Sequence, residues 1–222
     1  MMEIILYSIL FFTGASIVSF LTVMAYEIPN SNVFCLRRSC CDNCKRQLSW
    51  NHTIPILGYL MTFGKCIWCH YKIPILYPVS ELLGGLFLLA ILPLEKDIYF
   101  VIPIFVMLIL FSFMDIFHGY ILPVYYLLVV PCFLLHTHTL FVIAGLAVWG
   151  TLYLLEYFGF GIGLGDVEVI TLLTFLLGFE KILLIVILAC LLCLLTFLLK
   201  KKRSFRFIPY LTISTGLIYL IF

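Results

Sequence analysis

The chain has 222 residues, of which 64% are hydrophobic and 11% are charged, and its formal net charge is +2. Soluble globular domains average about 45–50% apolar and about 25% charged residues. The composition therefore excludes a soluble domain and predicts an all-α polytopic membrane protein.

Apolar runs that are long enough to cross a bilayer, which takes about 17 to 25 residues in a helix, recur along the chain. They cover residues 4–25, 73–94, 98–114, 120–135, 139–158, 167–179, 182–199 and 207–222. We therefore expect about eight transmembrane helices. The first run has no basic region ahead of it and no small-residue cleavage site behind it, so we expect a retained helix and not a signal peptide.

The basic residues indicate the orientation. With the N-terminus outside, eleven of the 13 Lys and Arg fall in the loops after the first and the seventh predicted helix, and only Lys96 and Lys181 lie outside. Such a bias predicts that both loops are cytoplasmic. Because orientation accounts for the basic residues, we expect the lipid bilayer as a partner and no nucleic acid.

A polar segment separates the first two predicted helices. It divides the chain into a first helix at 1–26, a cytoplasmic Cys-rich loop domain at 27–72 and a membrane-embedded domain at 73–222. The loop holds two Cys-x2-Cys pairs, formed by Cys41, Cys44, Cys66 and Cys69, with 21 residues between the pairs. Four thiolates complete a tetrahedral Zn²⁺ site and stabilise a segment that is too short to form its own core. We therefore predict a structural zinc knuckle.

Disulfides or free thiols are the alternatives to zinc, and disulfides are disfavoured in the reducing cytoplasm. His52 and His70 flank the two pairs, and either is able to replace a thiolate as ligand. Cys35 and Cys40 receive no role from the pattern.

Acidic side chains at membrane depth are costly unless they are paired or face water, so they indicate function. Asp115 ends the third predicted helix, and Asp166 follows the glycines of the stretch 161–165. The predicted topology brings both residues near the cytoplasmic face. Two carboxylates on two helices are the minimum for acid and base hydrolysis, so we predict that Asp115 and Asp166 are a catalytic pair.

Other residues near these acids have two interpretations each. Gly163 and Gly165 would let an extended substrate strand approach Asp166, or they form a flexible turn. Glu81, embedded in the second predicted helix, contacts substrate or pairs with a basic group as a structural element. His118 follows Asp115 by three residues and lies near the acid or is solvated.

Together these residues resemble the type IV prepilin peptidase family, the bacterial members of the GxGD intramembrane aspartic proteases. Five stretches are similar to the family's patterns: Gly163-Leu-Gly165-Asp166, the partner Asp115, Asn51-His-Thr-Ile-Pro with the knuckle cysteines, Tyr77-Pro-Val-Ser-Glu81 and Ile208-Pro209-Tyr210. The likeness covers nearly the whole chain.

The resemblance implies an enzyme of the bacterial cytoplasmic membrane that removes the basic leader of type IV pilin-like precursors at the cytoplasmic face. Such precursors serve a pilus, a secretion system or a DNA-uptake apparatus. In many members the same protein then methylates the new N-terminus with S-adenosylmethionine. Two positions depart from the family: Glu168 stands where Lys is common, and Trp50 stands where an acid often precedes the Asn51 stretch.

We expect one aspartate to be ionised and to take a proton from water, while the other is protonated and donates to the scissile carbonyl oxygen. A proton- or cation-coupled transporter is the main alternative, because embedded acids also carry ions. A membrane-anchored zinc-binding regulator is a third reading. The transporter leaves the Cys-rich loop without a role.

Overall fold

The computed structural model describes residues 2–27, 39–41, 43–93, 98–135, 141–200 and 206–221. In chain order its elements are α1 (Met2–Glu27), a 3-10 turn (Trp50–His52), α2 (Leu57–Met61), α3 (Leu76–Ile91), α4 (Ile98–His118), a 3-10 helix (Pro123–Val129), α5 (Val130–Leu135), α6 (Val142–Tyr157), α7 (Leu164–Leu177), α8 (Phe179–Lys200) and α9 (Ile208–Ile221). This part of the chain has no β-strand. The expected all-α class is confirmed.

Each apolar run of the sequence contains helix, but the helices differ in length. Helices α1, α4 and α8 are long and apolar enough to cross a membrane, whereas α3, α6, α9 and the stretch Pro123–Phe133 are apolar but shorter. Within the described ranges, length and composition thus support three spans. The larger number, about eight, stays a prediction.

The run at 120–135 is not one α-helix. It begins as a 3-10 helix with Pro123 at its first turn and becomes α-helical only at Val130. Pro131 has no backbone N–H and its ring clashes with the carbonyl four residues earlier, so an α-helix that ran through this position from Pro123 would be destabilised by about 3 kcal/mol. At the start of α5, by contrast, the missing N–H of Pro131 costs nothing.

The chain divides into two compact units, Met1–Lys96 and Asp97–Phe222. In the first unit, α1 and α3 pack against each other at glycines. A Cβ atom on Gly14 would lie 2.6 Å from the carbonyl oxygen of Gly84, and one on Gly85 would lie 2.7 Å from Cδ2 of Phe11. Small residues therefore let these two helices approach closely.

The second unit is built around α4. Its side chains Met107, Leu108, Phe111 and Met114 are completely buried. Helix α9 and the 123–135 segment pack on α4, while α7 contacts α6 and α8, and α8 contacts α9. This arrangement brings the C-terminal end of α4, the beginning of α7 and the beginning of α9 into one unit.

Candidate functional site

Asp115 lies in the last turn of α4 and is partly buried. The backbone N–H of Ile208 donates a hydrogen bond to its carboxyl group. The Oδ2 atom is buried and has no hydrogen-bond partner among the described residues. A buried carboxyl oxygen in this state is costly, which is typical of a group that is kept for a functional partner.

Asp166 lies in the first turn of α7, after the N-cap residue Gly163. The helix begins there because Gly163 is extended, with φ −69° and ψ 137°, and its carbonyl accepts the N–H of Val167 at 3.1 Å. The carboxyl of Asp166 folds back over this glycine, so that a Cβ atom on residue 163 would lie 3.2 Å from Oδ2. Glycine at 163 therefore gives the carboxyl its space.

Glycine is favoured at positions 165 and 161 for two different physical reasons. A Cβ atom on Gly165 would lie 3.1 Å from two carbons of Ile121, so a larger residue would displace that side chain. Gly161 has a φ of +74°, a conformation that other residues rarely adopt. A contact of Gly163 or Gly165 with a substrate stays a prediction.

The structure brings Asp115 and Asp166 together within the second unit. The charge of Asp115 acts on the carboxyl group of Asp166, and both side chains are only partly buried. The two acids come from different helices. Their arrangement supplies the two partly accessible carboxyl groups that acid and base chemistry requires.

A tyrosine and a third acid stand beside this pair. The hydroxyl of Tyr126 donates a 3.0 Å hydrogen bond to Oε2 of Glu168, and its ring meets Phe111 edge-on at 5.0 Å between centroids. The charge of Asp166 also acts on the Tyr126 hydroxyl. The ring of His118 contacts Tyr120 at 5.8 Å between centroids.

Sequence reasoning missed two residues at this site, Tyr126 and Arg206. In the sequence, Arg206 was used only as one of the basic residues that predict membrane orientation. In the structure its guanidinium donates to the backbone carbonyl of Asp115. The proximity of Arg206 to the Ile208-Pro209 pattern was the one available signal. Tyr126 carried no signal, because its partner is 42 residues away.

The four knuckle cysteines form one cluster in the first unit. Their Sγ atoms all lie within 4.8 Å of one another. Sγ of Cys41 is 3.7 Å from that of Cys69, and Sγ of Cys44 is 3.9 Å from that of Cys66. Tetrahedral zinc with Zn–S bonds of about 2.3 Å requires sulfur atoms about 3.8 Å apart, whereas a disulfide requires about 2.05 Å. The cluster therefore fits a tetrahedral metal ion and excludes disulfides between these pairs.

The two knuckles have the same backbone geometry. In each, the N–H of the residue after the second cysteine donates to the carbonyl of the first, at 2.9 Å from Lys45 to Cys41 and at 2.9 Å from His70 to Cys66. Lys45 and His70 both have positive φ, 56° and 54°. This left-handed residue closes each turn so that both thiols point to one side.

The thiols differ in proton affinity. A hydrogen bond from the backbone N–H of Tyr71 lowers the pKa of the Cys69 thiol to about 6, whereas burial raises the pKa of the Cys41 thiol to about 11. Metal ligands must be deprotonated, so metal binding releases the remaining thiol protons.

The metal-capable group found in the described ranges includes the four cysteines and neither His52 nor His70. Cys40 has a free thiol outside this group, although it is next to Cys41. Cys35 lies outside the described residues.

Glu81 has a structural contact in the first unit. Its Oε2 accepts a 2.8 Å hydrogen bond from the backbone N–H of Ile56. Ile56 has a φ of 64°, which is costly for a β-branched residue. In the described ranges Glu81 thus pairs with a backbone N–H. Its contact with a basic group or with substrate stays a prediction.

Comparison with known proteins agrees with this picture. Residues 12–93 match the family model of the bacterial Peptidase A24 N-terminal domain. A prepilin leader peptidase/N-methyltransferase of Myxococcus xanthus (strain DK1622) is 34% identical over 117 residues, which are 51% of this chain and 35% of that protein. A protein of the same name from Bacillus subtilis (strain 168) is 39% identical over 75 residues, 34% of this chain and 30% of that protein.

A third prepilin leader peptidase/N-methyltransferase, from Klebsiella pneumoniae, is 33% identical over 90 residues, 37% of this chain and 40% of that protein. The chain therefore spans between 30% and 40% of the length of these relatives. No solved structure matches it.

Proposed function

We propose that this chain, which belongs to the type IV prepilin peptidase family, is a membrane aspartic endopeptidase that cleaves the basic leader of type IV pilin-like precursors. One observation carries the proposal: two partly buried carboxyl groups, Asp115 and Asp166, come together from α4 and α7. The match of residues 12–93 to the Peptidase A24 N-terminal domain and the names of the relatives support the same class.

The mechanism uses a carboxyl pair that holds one proton. One aspartate is ionised and takes a proton from water as the water oxygen attacks the scissile carbonyl carbon. The other is protonated and donates to the carbonyl oxygen, which becomes a hydroxyl of the tetrahedral intermediate. The first aspartate then gives its proton to the leaving nitrogen as the C–N bond breaks, and the second takes back the hydroxyl proton as the carbonyl re-forms, which restores the starting pair. Two adjacent carboxyl groups cannot both ionise cheaply, so sharing a proton maintains the mixed state that this cycle needs.

The substrate has the chemistry that this site can take. An apolar pilin helix lies in the bilayer while its basic leader stays in the cytoplasm, so the bond between them comes to the membrane surface. Glu168 is exposed and two residues beyond Asp166, and it adds negative charge on the side from which a basic leader would approach. The proposed location is the bacterial cytoplasmic membrane, with several spans and with the site near the cytoplasmic face.

Zinc is the metal we propose for Cys41, Cys44, Cys66 and Cys69. Bound there, it would cross-link the two knuckles and stabilise the Cys-rich segment. This choice is supported by the Sγ–Sγ separations, which are too long for disulfides, and by the matching backbone turns of the two knuckles. The peptidase reaction needs no step at this ion.

N-methylation of the new N-terminus with S-adenosylmethionine is a second proposed activity. It rests on the names of the relatives, which are leader peptidase/N-methyltransferases. The described part of the first unit has a cavity of about 200 Å³, lined by Thr22, Tyr26, Tyr59 and Tyr71 among others. Small-molecule sites usually measure about 300–1,000 Å³, so these residues do not fit the cofactor as they stand. No catalytic step is assigned to it.

The test is an assay of the purified full chain in detergent with a synthetic precursor that has a basic leader and an apolar helix. Mass spectrometry of the product identifies the cut and, with S-adenosylmethionine added, any 14-dalton methyl increment. We expect a single cut after the leader. An intact precursor under conditions in which the protein remains folded would reject the peptidase. A complete cut with an unmodified N-terminus would reject the methyltransferase alone.

The transporter alternative predicts the reverse outcome. Its embedded acids would bind protons or cations, so reconstituted vesicles would show ion flux and the precursor would stay intact. The regulator alternative predicts neither activity. One preparation tested in both assays therefore separates the three classes.

A further inference from the structure

We propose that Arg206 is a positioning residue for Asp115, because it ties the segment before α9 to the C-terminal end of α4. The inference deepens the proposed function and rests on it. Arg206 is exposed and precedes α9 by two residues. The positive-inside pattern alone would make it one more topology-determining charge.

The end of α4 and the beginning of α9 supply hydrogen-bond partners to each other. The last carbonyls of an α-helix and the first N–H groups of the next have no partner within their own helix. At the end of α4, the carbonyl of Asp115 accepts the N–H of Gly119 at 3.0 Å and also a guanidinium N–H of Arg206. At the beginning of α9, the N–H of Ile208 donates to the carboxyl of Asp115.

Both halves of this exchange have favourable electrostatics. A helix C-terminus carries partial negative charge and stabilises a cation, and an N-terminus carries partial positive charge and stabilises an anion. Arg206 is the cation at the end of α4, and Asp115 is the acid at the beginning of α9. The charge of Arg206 also acts on the Asp115 carboxyl. One arginine thus contacts the backbone of the acid and lies close to its side chain.

Further contacts hold α9 against α4 in the same register. The hydroxyl of Ser112 is 2.7 Å from that of Thr212, which also donates to the carbonyl of Leu108 at 3.2 Å. Phe105 meets Tyr219 edge-on at 6.1 Å between centroids. These contacts lie along the interior of the helix pair, so α9 stays on α4 without Arg206. Arg206 adds a contact between the two helices at the end of the pair where Asp115 lies.

This arrangement predicts how the residue acts. The N–H of Ile208 holds one part of the Asp115 carboxyl, while Oδ2 remains buried and without a partner in the described ranges. Loss of Arg206 would let the start of α9 shift, and the carboxyl would turn with it. A misplacement of about 1 Å in a catalytic group lowers the rate by about 100-fold. Because the proposed role of Arg206 is to position Asp115 and not to bind substrate, KM should change little.

The test compares Arg206→Ala, Arg206→Lys and a matched control, Lys181→Ala, in cleavage of the synthetic precursor. Lys181 is also a cation at a helix end, and its Nζ lies 5.7 Å from the centre of the Tyr219 ring of α9. We expect Arg206→Ala to lower kcat about 10- to 100-fold with KM within about twofold. Added guanidinium ion should restore much of the loss, and Arg206→Lys should keep an intermediate rate. Lys181→Ala should match the parent chain.

Other results would overturn the inference. A parent rate for Arg206→Ala would mean that the residue serves orientation only. A loss that neither guanidinium nor lysine reverses would mean a general structural role, as would a loss seen equally in Lys181→Ala. If Arg206→Ala does not accumulate, the Arg206→Lys variant provides the test. Cleavage by Arg206→Lys at the parent rate would show that a positive charge is sufficient and that the planar guanidinium is not needed. Failure of the parent chain to cleave would instead reject the proposed function.

Discussion

The hydroxyl of Tyr126 donates a 3.0 Å hydrogen bond to Oε2 of Glu168, and this bond joins the 3-10 helix after α4 to α7, just after its first turn. The 3-10 helix follows α4, which carries Asp115, and α7 carries Asp166. The bond therefore stabilises the approach of the two acidic segments. It also gives a physical role to Glu168, which stands where the resembled family commonly has lysine.

Tyr126→Phe should lower the cleavage rate about 2- to 12-fold, because a hydrogen bond contributes about 0.5–1.5 kcal/mol. Glu168→Gln should keep most of the rate, since its amide oxygen still accepts from Tyr126. Glu168→Leu should resemble Tyr126→Phe, and the double variant should be no worse than either. Initial rates on the synthetic precursor measure all four.

Tyr125→Phe is the control for this prediction, because it removes a neighbouring hydroxyl that does not bond to Glu168. A loss in Tyr125→Phe equal to that in Tyr126→Phe would mean that any hydroxyl change disturbs the segment. Additive losses in Tyr126→Phe and Glu168→Leu would show that the two residues do not act through their shared bond.

The spacing of the cysteines was sufficient to predict the cluster, because each pair closes one local turn. The aspartate pair was also predictable, since an acid in an apolar run is so rare that each one indicates a functional residue by itself. The bonds from Tyr126 to Glu168 and from Arg206 to Asp115 were not predictable. Each joins residues 42 or 91 positions apart, and no local pattern encodes such a contact.

Hydropathy also could not give the form of the 120–135 run. All of its residues but the prolines favour a buried helix, so the mean hydropathy along the run indicates one continuous segment. Pro123 and Pro131 divide it into a 3-10 helix and a short α-helix, because each removes a backbone donor. The same limit applies to Glu81, whose partner is a backbone N–H 25 residues away.

Glu81→Ala should lower the free energy of unfolding by about 1–3 kcal/mol, because it leaves the N–H of Ile56 without its acceptor. Glu81→Gln should cost less, since the amide oxygen can still accept. Thermal unfolding of the detergent-solubilised chain measures both. Ile56→Gly in the Glu81→Ala background should recover part of the loss, because glycine adopts positive φ without strain.

The alternative role of Glu81, contact with substrate, predicts a different result. KM for the precursor would rise in Glu81→Gln while the unfolding temperature stayed at its parent value. Unchanged stability in Glu81→Ala would therefore contradict the structural role.

The purified chain should hold about one zinc ion, bound by the four knuckle thiolates. Cys69→Ser should lower the zinc content and loosen the Cys-rich segment, because a hydroxyl is a poor replacement for a thiolate ligand. Acid should release the metal, since protons compete for the thiolates. Metal analysis and alkylation of the thiols, with and without chelator, measure these effects.

Cys40→Ser is the matched control, because Cys40 adjoins Cys41 but lies outside the cluster. It should keep the zinc of the parent chain. Metal-free protein prepared without chelator, in which all four thiols react freely, would rule out the site.

Asp115→Asn and Asp166→Asn should each lower cleavage about 1,000-fold or more, because an amide cannot exchange the proton that the reaction requires. Both variants should still accumulate in the membrane. Asn at 115 can accept from the N–H of Ile208, and the contact of Arg206 is with the backbone, which the substitution leaves in place. Glu180→Gln, which changes an exposed acid at the start of α8, is the control and should cleave at the parent rate.

The double variant gives the decisive comparison, because the two acids form one proton-sharing unit. Once one acid is lost, the other has no partner with which to divide the roles of acid and base. The double variant should therefore be scarcely slower than either single variant, whereas independent contributions would multiply the losses. If either Asn variant cleaves at the parent rate, the pair is not catalytic. In a transporter the same substitutions would block ion flux and leave processing of a pilin-like precursor in the cell unchanged, which an immunoblot of that precursor detects.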